Sequence, residues 1–248
     1  MVQAVLFDYG GVLADVIKPA DGPRVMAEAI AVVVGRSGSP MSVAEIEHDL
    51  GLGVRAYEGW KRALSRSDEP VEISQRQFWD LTCCDWPQPA REAVLAAAAP
   101  LSKAFDLTLI RRPARPDARA VLERLSAAGI RTGLVSNCLS GWAARQQLSS
   151  DGLDTLLDVQ YFSDEFGFRK PGAAMIRAAM AALGCEPGQV WLVGDRLDRD
   201  ILAGRRAGVA ATVLVRTAAG AGASVRGADP DHCISRLTEL VDLLGLAA

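Results

Sequence analysis

Apolar residues follow two rhythms along this chain. Val2 to Phe7 is a short apolar run that stops at Asp8 and gives way to Gly10 and Gly11, the pattern of a buried strand emptying into a tight loop. Pro116 and Asp117 open a segment in which Val121, Leu122 and Leu125 share one helical face, with Gly129 placed as a C-terminal cap. A strand over Ile130 to Val135 follows and ends at Ser136 and Asn137. The alternation then repeats: strand Val159 to Phe162, helix Gly172 to Leu183, strand Val190 to Val193, helix Ile201 to Ala207 and strand Ala211 to Val215. Strands alternating with helices predict an α/β fold, a doubly wound parallel sheet of Rossmann-like type.

Residues 16 to 115 interrupt this rhythm with helical spacing alone, over Arg24 to Val34, Val43 to Leu50, Arg55 to Leu64, Ser74 to Thr82 and Arg91 to Ala99. Trp60, Phe78, Trp79 and Trp86 supply apolar bulk for a separate small bundle, with Trp60 and Trp79 read as core. The expected division is therefore a sheet domain of residues 1–15 and 116–248 with a helical insert of 16–115, rejoined through Arg111 to Pro116. Thr217 to Asp229, rich in Gly and Ala, reads as a surface loop, and Ile234 to Leu246 as a closing amphipathic helix.

Composition narrows the function classes. Of 248 residues, 50% are apolar and 23% charged, and 27 basic against 30 acidic side chains leave a net charge of -3. That is ordinary globular composition, and it excludes collagen-like and disordered chains. The longest apolar stretches, such as Ala93 to Leu101 and Val209 to Val215, fall short of the roughly 18 residues of a membrane span. No secretory pattern opens the chain, so the expected setting is the cytoplasm, with no membrane partner. The mild acidity argues against nucleic acid as a partner. Cys83, Cys84, Cys138, Cys185 and Cys233 are scattered and lack metal-motif spacing, and only His48 and His232 could join them, so reduced thiols are expected rather than a zinc site.

Candidate chemistry gathers at the carboxyl ends of the predicted strands, where open parallel sheets bind ligands. Asp8 lies at the first, Ser136 and Asn137 at the second, Lys170 before Pro171 after the third, and Asp195 with Asp200 at the fourth. Taken singly, each has a plainer account as a turn, loop or helix-entry residue, and Asp200 as a helix cap. Converging on one rim, carboxylates, a lysine and a hydroxyl suit a hard divalent cation and a phosphate.

This order of residues resembles the haloacid dehalogenase superfamily, whose members are mostly magnesium-dependent phosphatases. The resemblance rests on Phe7-Asp8-Tyr9-Gly10-Gly11-Val12-Leu13, Leu134-Val135-Ser136-Asn137, the run Ser163 to Pro171, and Val193-Gly194-Asp195 through Asp200-Ile201. It implies that residues 16 to 115 are a helical cap and that Asp8 is a nucleophile forming an aspartyl-phosphate. It further implies that Ser136 and the Asn137 amide hold phosphoryl oxygens and that Lys170 offsets charge. Mg2+ would be held by Asp8, the Gly10 carbonyl and Asp195, with Asp200 an outer or alternate ligand. The implied substrate is a small phosphorylated metabolite, handled by a monomer or homodimer. One position departs from the pattern: where most such phosphatases carry a second aspartate as general acid and base, this chain has Gly10. Two other readings therefore stay open, a 2-haloacid dehalogenase and a catalytically weak phospholigand-binding protein. Arg55, Lys61, Arg62 and Arg66 in the insert read as a solvated helix face as readily as an anion site, and none is singled out.

Overall fold

A computed structural model describes residues 1–217, 220, 222 and 225–246 of the chain. Its strands are β1 (Ala4–Phe7), β2 (Arg131–Ser136), β3 (Val159–Phe162), β4 (Val190–Gly194), β5 (Ala211–Val215) and β6 (His232–Ile234). All pair in parallel, in the order β3-β2-β1-β4-β5-β6. Alternate side chains of β1 leave opposite faces. Val5 and Phe7 enter an apolar layer with α6 (Ala118–Ala127) and α7 (Gly141–Ser150), while Ala4 and Leu6 enter the layer that, beyond the short α8 (Ser163–Phe166), holds α9 (Ala174–Ala182) and α10 (Leu202–Ala207). This two-sided cover is the α/β architecture expected. Because β1 is the first strand and yet central, strand order reverses beside it, and the carboxyl ends of β1, β2 and β4 open side by side.

Five helices lie between β1 and α6: α1 (Gly22–Gly35), α2 (Val43–Leu64), α3 (Gln75–Thr82), α4 (Gln88–Ala96) and α5 (Ala98–Thr108). They surround an apolar cluster of their own. At its centre Phe78 meets Tyr57 at 5.2 Å and both Trp79 and Phe105 at 5.0 Å between ring centroids, in edge-on contacts. The buried Trp79 indole donates to Ser102 Oγ at 2.9 Å, so its one polar atom is satisfied. Trp60 is only partly buried, stacked on Tyr57 at the rim of the cluster.

The helical segment is tied to the sheet twice. At its neck, Asp15 N–H donates to Pro113 O and Ile17 exchanges both backbone bonds with Arg111. Midway along, Glu72 N–H donates to Gly167 O and Arg169 N–H to Pro70 O, each at 2.9 Å. These second bonds place the loop between α2 and α3 against the segment that delivers Lys170.

Several elements differ from the sequence expectation, among them α5, which lies almost wholly beyond the stretch Arg91 to Ala99. The two helical stretches read over Val43 to Leu50 and Arg55 to Leu64 are one helix, α2, and the Gly53 within it is a close-packing position, where a Cβ would lie 2.9 Å from the Thr82 Cα. The helix α7 was not expected. Its inward face is built of Gly141, Ala143, Ala144 and Leu148, too small to form an apolar stripe in sequence. The closing helix expected over Ile234 to Leu246 is shorter: Ile234 belongs to the edge strand His232–Ile234, which pairs with β5, and the terminal helix is confined to α11 (Thr238–Leu243). The loop expected over 217–229 falls partly outside the described residues. All five cysteines are free thiols, Cys83, Cys138 and Cys185 buried. Among the described residues no helix is long and apolar enough to cross a membrane.

Asp231 pins the β5 edge. Its carboxylate accepts Thr212 N–H at 2.7 Å, Thr212 Oγ1 at 3.0 Å and Arg205 at 2.8 Å. Partial burial pushes its pKa up, but the Thr212 and Arg205 bonds outweigh this and hold it below 3.8. A depressed folded-state pKa contributes stability that is present above the unfolded value and is lost as pH falls through the folded one. Asp231→Asn is expected to cost about 0.5–1 kcal/mol at neutral pH in urea titrations, the partners being solvent-screened, with the gap from the native protein closing under acid conditions.

Candidate active site

The site is organised around one buried ammonium. Lys170 has no exposed surface, and its Nζ donates to Asp8 Oδ1 at 2.8 Å and to Val135 O at 2.7 Å while lying 2.6 Å from Asp200 Oδ1. Its backbone is clamped by Asn137: Lys170 N–H donates to Asn137 Oδ1, and Asn137 Nδ2 donates to Lys170 O, both at 2.9 Å. The Asn137 side chain is thereby committed to holding the lysine loop, and its main-chain N–H is the group left to offer an oxyanion. Ser136 closes β2 one residue beyond the carbonyl that Lys170 holds.

Asp8 leaves the end of β1 with its own N–H bonded to Val193 O of β4 at 2.9 Å. Gly11, at φ +87°, turns the loop, and only glycine fits there twice over: a Cβ would sit 2.8 Å from the Asp195 Cγ. The loop is thus pressed against Asp195. Beyond β4 a π-helical turn, Leu197–Ile201, carries Asp198, Arg199 and Asp200, an irregular winding often found at functional positions. Asp200 is fully buried, with Oδ2 accepting Arg196 N–H at 3.1 Å.

Asp8, Asp195 and Asp200 are all buried, and each presents an oxygen within 4.8 Å of the others. The positions expected to converge, Asp8, Ser136, Asn137, Lys170, Asp195 and Asp200, therefore lie at one rim, with Gly10 in the loop between them. A chemically hard, all-oxygen set of this kind fits a divalent cation of the magnesium or calcium class.

Charge in the cluster is unevenly held. Burial pushes the Asp195 carboxyl up to about 7, reinforced by the charges of Asp200 and Asp8. Burial would do the same to Asp200, but Lys170 and Arg199 hold it below the usual carboxylate range. Burial pulls the Lys170 pKa down, and the Asp200 and Asp8 carboxylates more than reverse this, so the ammonium stays charged.

Sequence reasoning missed two contributors. Arg199 places Nη2 at 3.3 Å from Asp195 Oδ1 and at 4.0 Å from both Asp8 Oδ2 and Asp200 Oδ2, a second cation facing all three acids. Glu72, from the helical insert, pairs at 2.9 Å with the buried Arg169 and accepts Ser163 Oγ at 2.6 Å, bracing the residue next to Lys170. The only signal for Arg199 was a basic residue inside the spacing between two candidate acids. Nothing local marked Glu72. At Gly10, where a second aspartate would project, a built Cβ meets Val16 Cγ2 at 3.0 Å and Arg112 Nε at 3.8 Å. That corner is filled by an aliphatic group and a guanidinium.

The chain matches a known family. The chain belongs to the haloacid dehalogenase-like hydrolases, whose family model matches residues 2–208. A glyceraldehyde 3-phosphate phosphatase of Methanopyrus kandleri is 29% identical, over 98% of this chain and 97% of that protein. Several other curated phosphatases are matched over only about half of their own length. Among solved structures, a HAD phosphatase from Thermococcus onnurineus aligns over 98% of both chains with a TM-score of 0.63 at 21% identity. A 2-haloacid dehalogenase from Pseudomonas syringae aligns over 99% of both with the same TM-score of 0.63 at 19% identity. Similarity at that level defines the fold and not the reaction.

Removing the ammonium would leave Asp8 and Asp200 buried without their shared counter-charge. Lys170→Met is expected to lower unfolding stability by about 3–5 kcal/mol, read as a reduced urea midpoint, a loss that Lys170→Met combined with Asp200→Asn partly restores.

Proposed function

We propose that this protein is a magnesium-dependent phosphatase of small phosphate monoesters, with Asp8 as nucleophile. The observation that carries the reading is the Lys170 ammonium joined to both Asp8 and Asp200, with Asp195 completing an acidic cluster whose oxygens lie within 4.8 Å of one another. Relatives named as phosphatases support the same reaction class.

In this reading Asp8 Oδ2, the oxygen that Lys170 leaves free, attacks phosphorus as the bond to the leaving oxygen breaks. The departing group takes that electron pair, and Asp8 becomes an aspartyl-phosphate. Water then attacks, breaking the bond between phosphorus and the Asp8 oxygen, and phosphate is released with the carboxylate restored. Lys170 holds positive charge beside the carboxylate and the phosphoryl oxygens throughout, while the Ser136 hydroxyl and the Asn137 main-chain N–H orient those oxygens. Phosphoryl transfer gains most from such positioning and charge compensation. Mg2+, held by Asp8, Asp195 and the Gly10 carbonyl, with Asp200 outside them, would neutralise charge on the transferring group. Residues 16–115 act as the cap that covers the leaving group and excludes water. The cytoplasm is the proposed setting, supported by the five free thiols.

Gly10 bears on rate. General acid catalysis is typically worth about 100- to 10,000-fold, and here the groups beside the missing side chain are Val16 and Arg112, neither of them a carboxylic acid. Esters whose leaving groups need little protonation are therefore favoured, and the acidic cluster weighs against a 2-haloacid dehalogenase.

The test is phosphate release from p-nitrophenyl phosphate and from an alkyl phosphate of similar size, with Mg2+ and with chelator. The expected result is metal-dependent release, faster for the aryl ester, and a fall of more than about 1,000-fold in kcat for Asp8→Asn. Chloride release from a 2-chloroacid in chelator, with no phosphate release, would overturn the reading.

A further inference from the structure

We propose that the substrate carries a second anionic group, a carboxylate or a second phosphate, and that Arg62 in the last turn of α2 and Arg66 in the turn just after it are the residues that recognise it. The inference rests on the phosphatase reading above and adds the substrate class.

A cavity of about 700 Å³ lies between the C-terminal part of α2 and the segment after β4. Lys61, Arg62 and Arg66 line it from the insert, and Arg196, Arg199 and Arg206 from the sheet domain. Arg169 adds a seventh cation, against which the lining offers two acids, Glu58 and Asp198. Most of these charges are already paired. Arg169 is held by Glu72 at 2.9 Å, Arg206 by Asp68 at 2.9 Å, Arg196 by Asp198 at 3.1 Å and Lys61 by Glu58 at 2.5 Å. Arg199 faces the catalytic carboxylates. Arg62 and Arg66 have no ion-pair partner among the described residues.

The negative end of the α2 dipole accounts for cations in its last turn. It does not account for four arginines of the sheet domain, Arg169, Arg196, Arg199 and Arg206, lining the same cavity from another part of the chain. Converging cations repel one another unless an anion joins them, and Lys61 registers this: burial lowers its pKa, with Arg169 and Arg199 adding to the effect against Glu58. Position completes the case. Arg199 lines the cavity and also reaches to 4.0 Å of Asp8 Oδ2, so the basic surface begins at the reacting centre. A second cavity of about 210 Å³, bounded by Asn137, Tyr57, Phe105 and Leu139, shares Glu58 and Lys61 with the first. An ester with its phosphate at Asp8 and its carbon skeleton in the smaller space would deliver its far end past Lys61 to Arg62 and Arg66. Of the four cations noted in the sequence, only Arg55 lies outside this lining.

The test uses three unreactive alkylphosphonates with the same three-methylene spacer, ending in a methyl, a carboxylate or a second phosphonate. Their binding to the Mg2+-loaded full chain is measured by calorimetry. The expected result is about 10-fold tighter binding of an anion-tailed ligand than of the methyl-tailed one, weakening with added salt. The two anionic arms tell whether carboxylate or phosphate is preferred. In Arg62→Gln/Arg66→Gln that preference is expected to fall to about twofold or less, and Arg62→Lys/Arg66→Lys is expected to keep most of it. Equal affinities for all three ligands in the native protein, or a preference that survives the Gln substitutions in folded protein, would overturn the inference. Turnover of p-nitrophenyl phosphate is read separately: its presence without a binding preference sinks this proposal alone, and its absence sinks the phosphatase reading.

Discussion

A lysine ammonium with no exposed surface must be fully compensated where it stands, and meeting that requirement shapes the centre of this protein. Lys170 is compensated by Asp8 from the end of β1, Asp200 from the turn after β4 and the Val135 carbonyl of β2. Three adjacent strand ends are thus tied through a single charge. Because the pairing is buried, its geometry is strict: removing any partner leaves an uncompensated ion in a low-dielectric setting. The same charge that holds the strands together lies beside the carboxylate proposed to attack phosphorus, so the stability of the site and its chemistry share one interaction.

The lysine is itself held from two sides. Asn137 clamps its backbone from the sheet, while Glu72 from the helical insert braces the neighbouring Arg169 and bonds to Gly167. The insert therefore does more than roof the site. Its loop between α2 and α3 forms part of the support for the buried Lys170, and α2 with the turn that follows it supplies the insert's share of the basic cavity. In the proposed reading, coupling of this kind makes substrate recognition by the insert and alignment of the reacting groups features of one assembly.

Much of this was legible in the sequence, for a physical reason. A parallel sheet exposes its functional residues where apolar runs stop, so Asp8, Ser136, Asn137 and Asp195 announced themselves as polar residues ending buried strands. Lys170 and Asp200 lie outside strands and drew their meaning from the motif order. What stayed hidden depends on contacts between distant segments. Glu72 looks like any acidic loop residue until Arg169 is found 2.9 Å away. Arg199 becomes informative only when the π-helical turn brings it round to face all three carboxylates. Helix α7 buries small side chains, and so leaves no apolar periodicity to read. The basic residues of α2 could not be told from a solvated face until the sheet domain was placed opposite them.

The central claim is that Asp8 carries the phosphoryl group. Acid-quenched single-turnover reaction with an aryl phosphate and Mg2+, followed by peptide mapping by mass spectrometry, tests it most directly. The account predicts a transient phosphoryl adduct on the peptide containing Asp8, formed with the burst of aryl alcohol and absent from Asp8→Asn. Stoichiometric aryl alcohol release with no adduct at any time point, the phosphate taking its new oxygen directly from water, would contradict it.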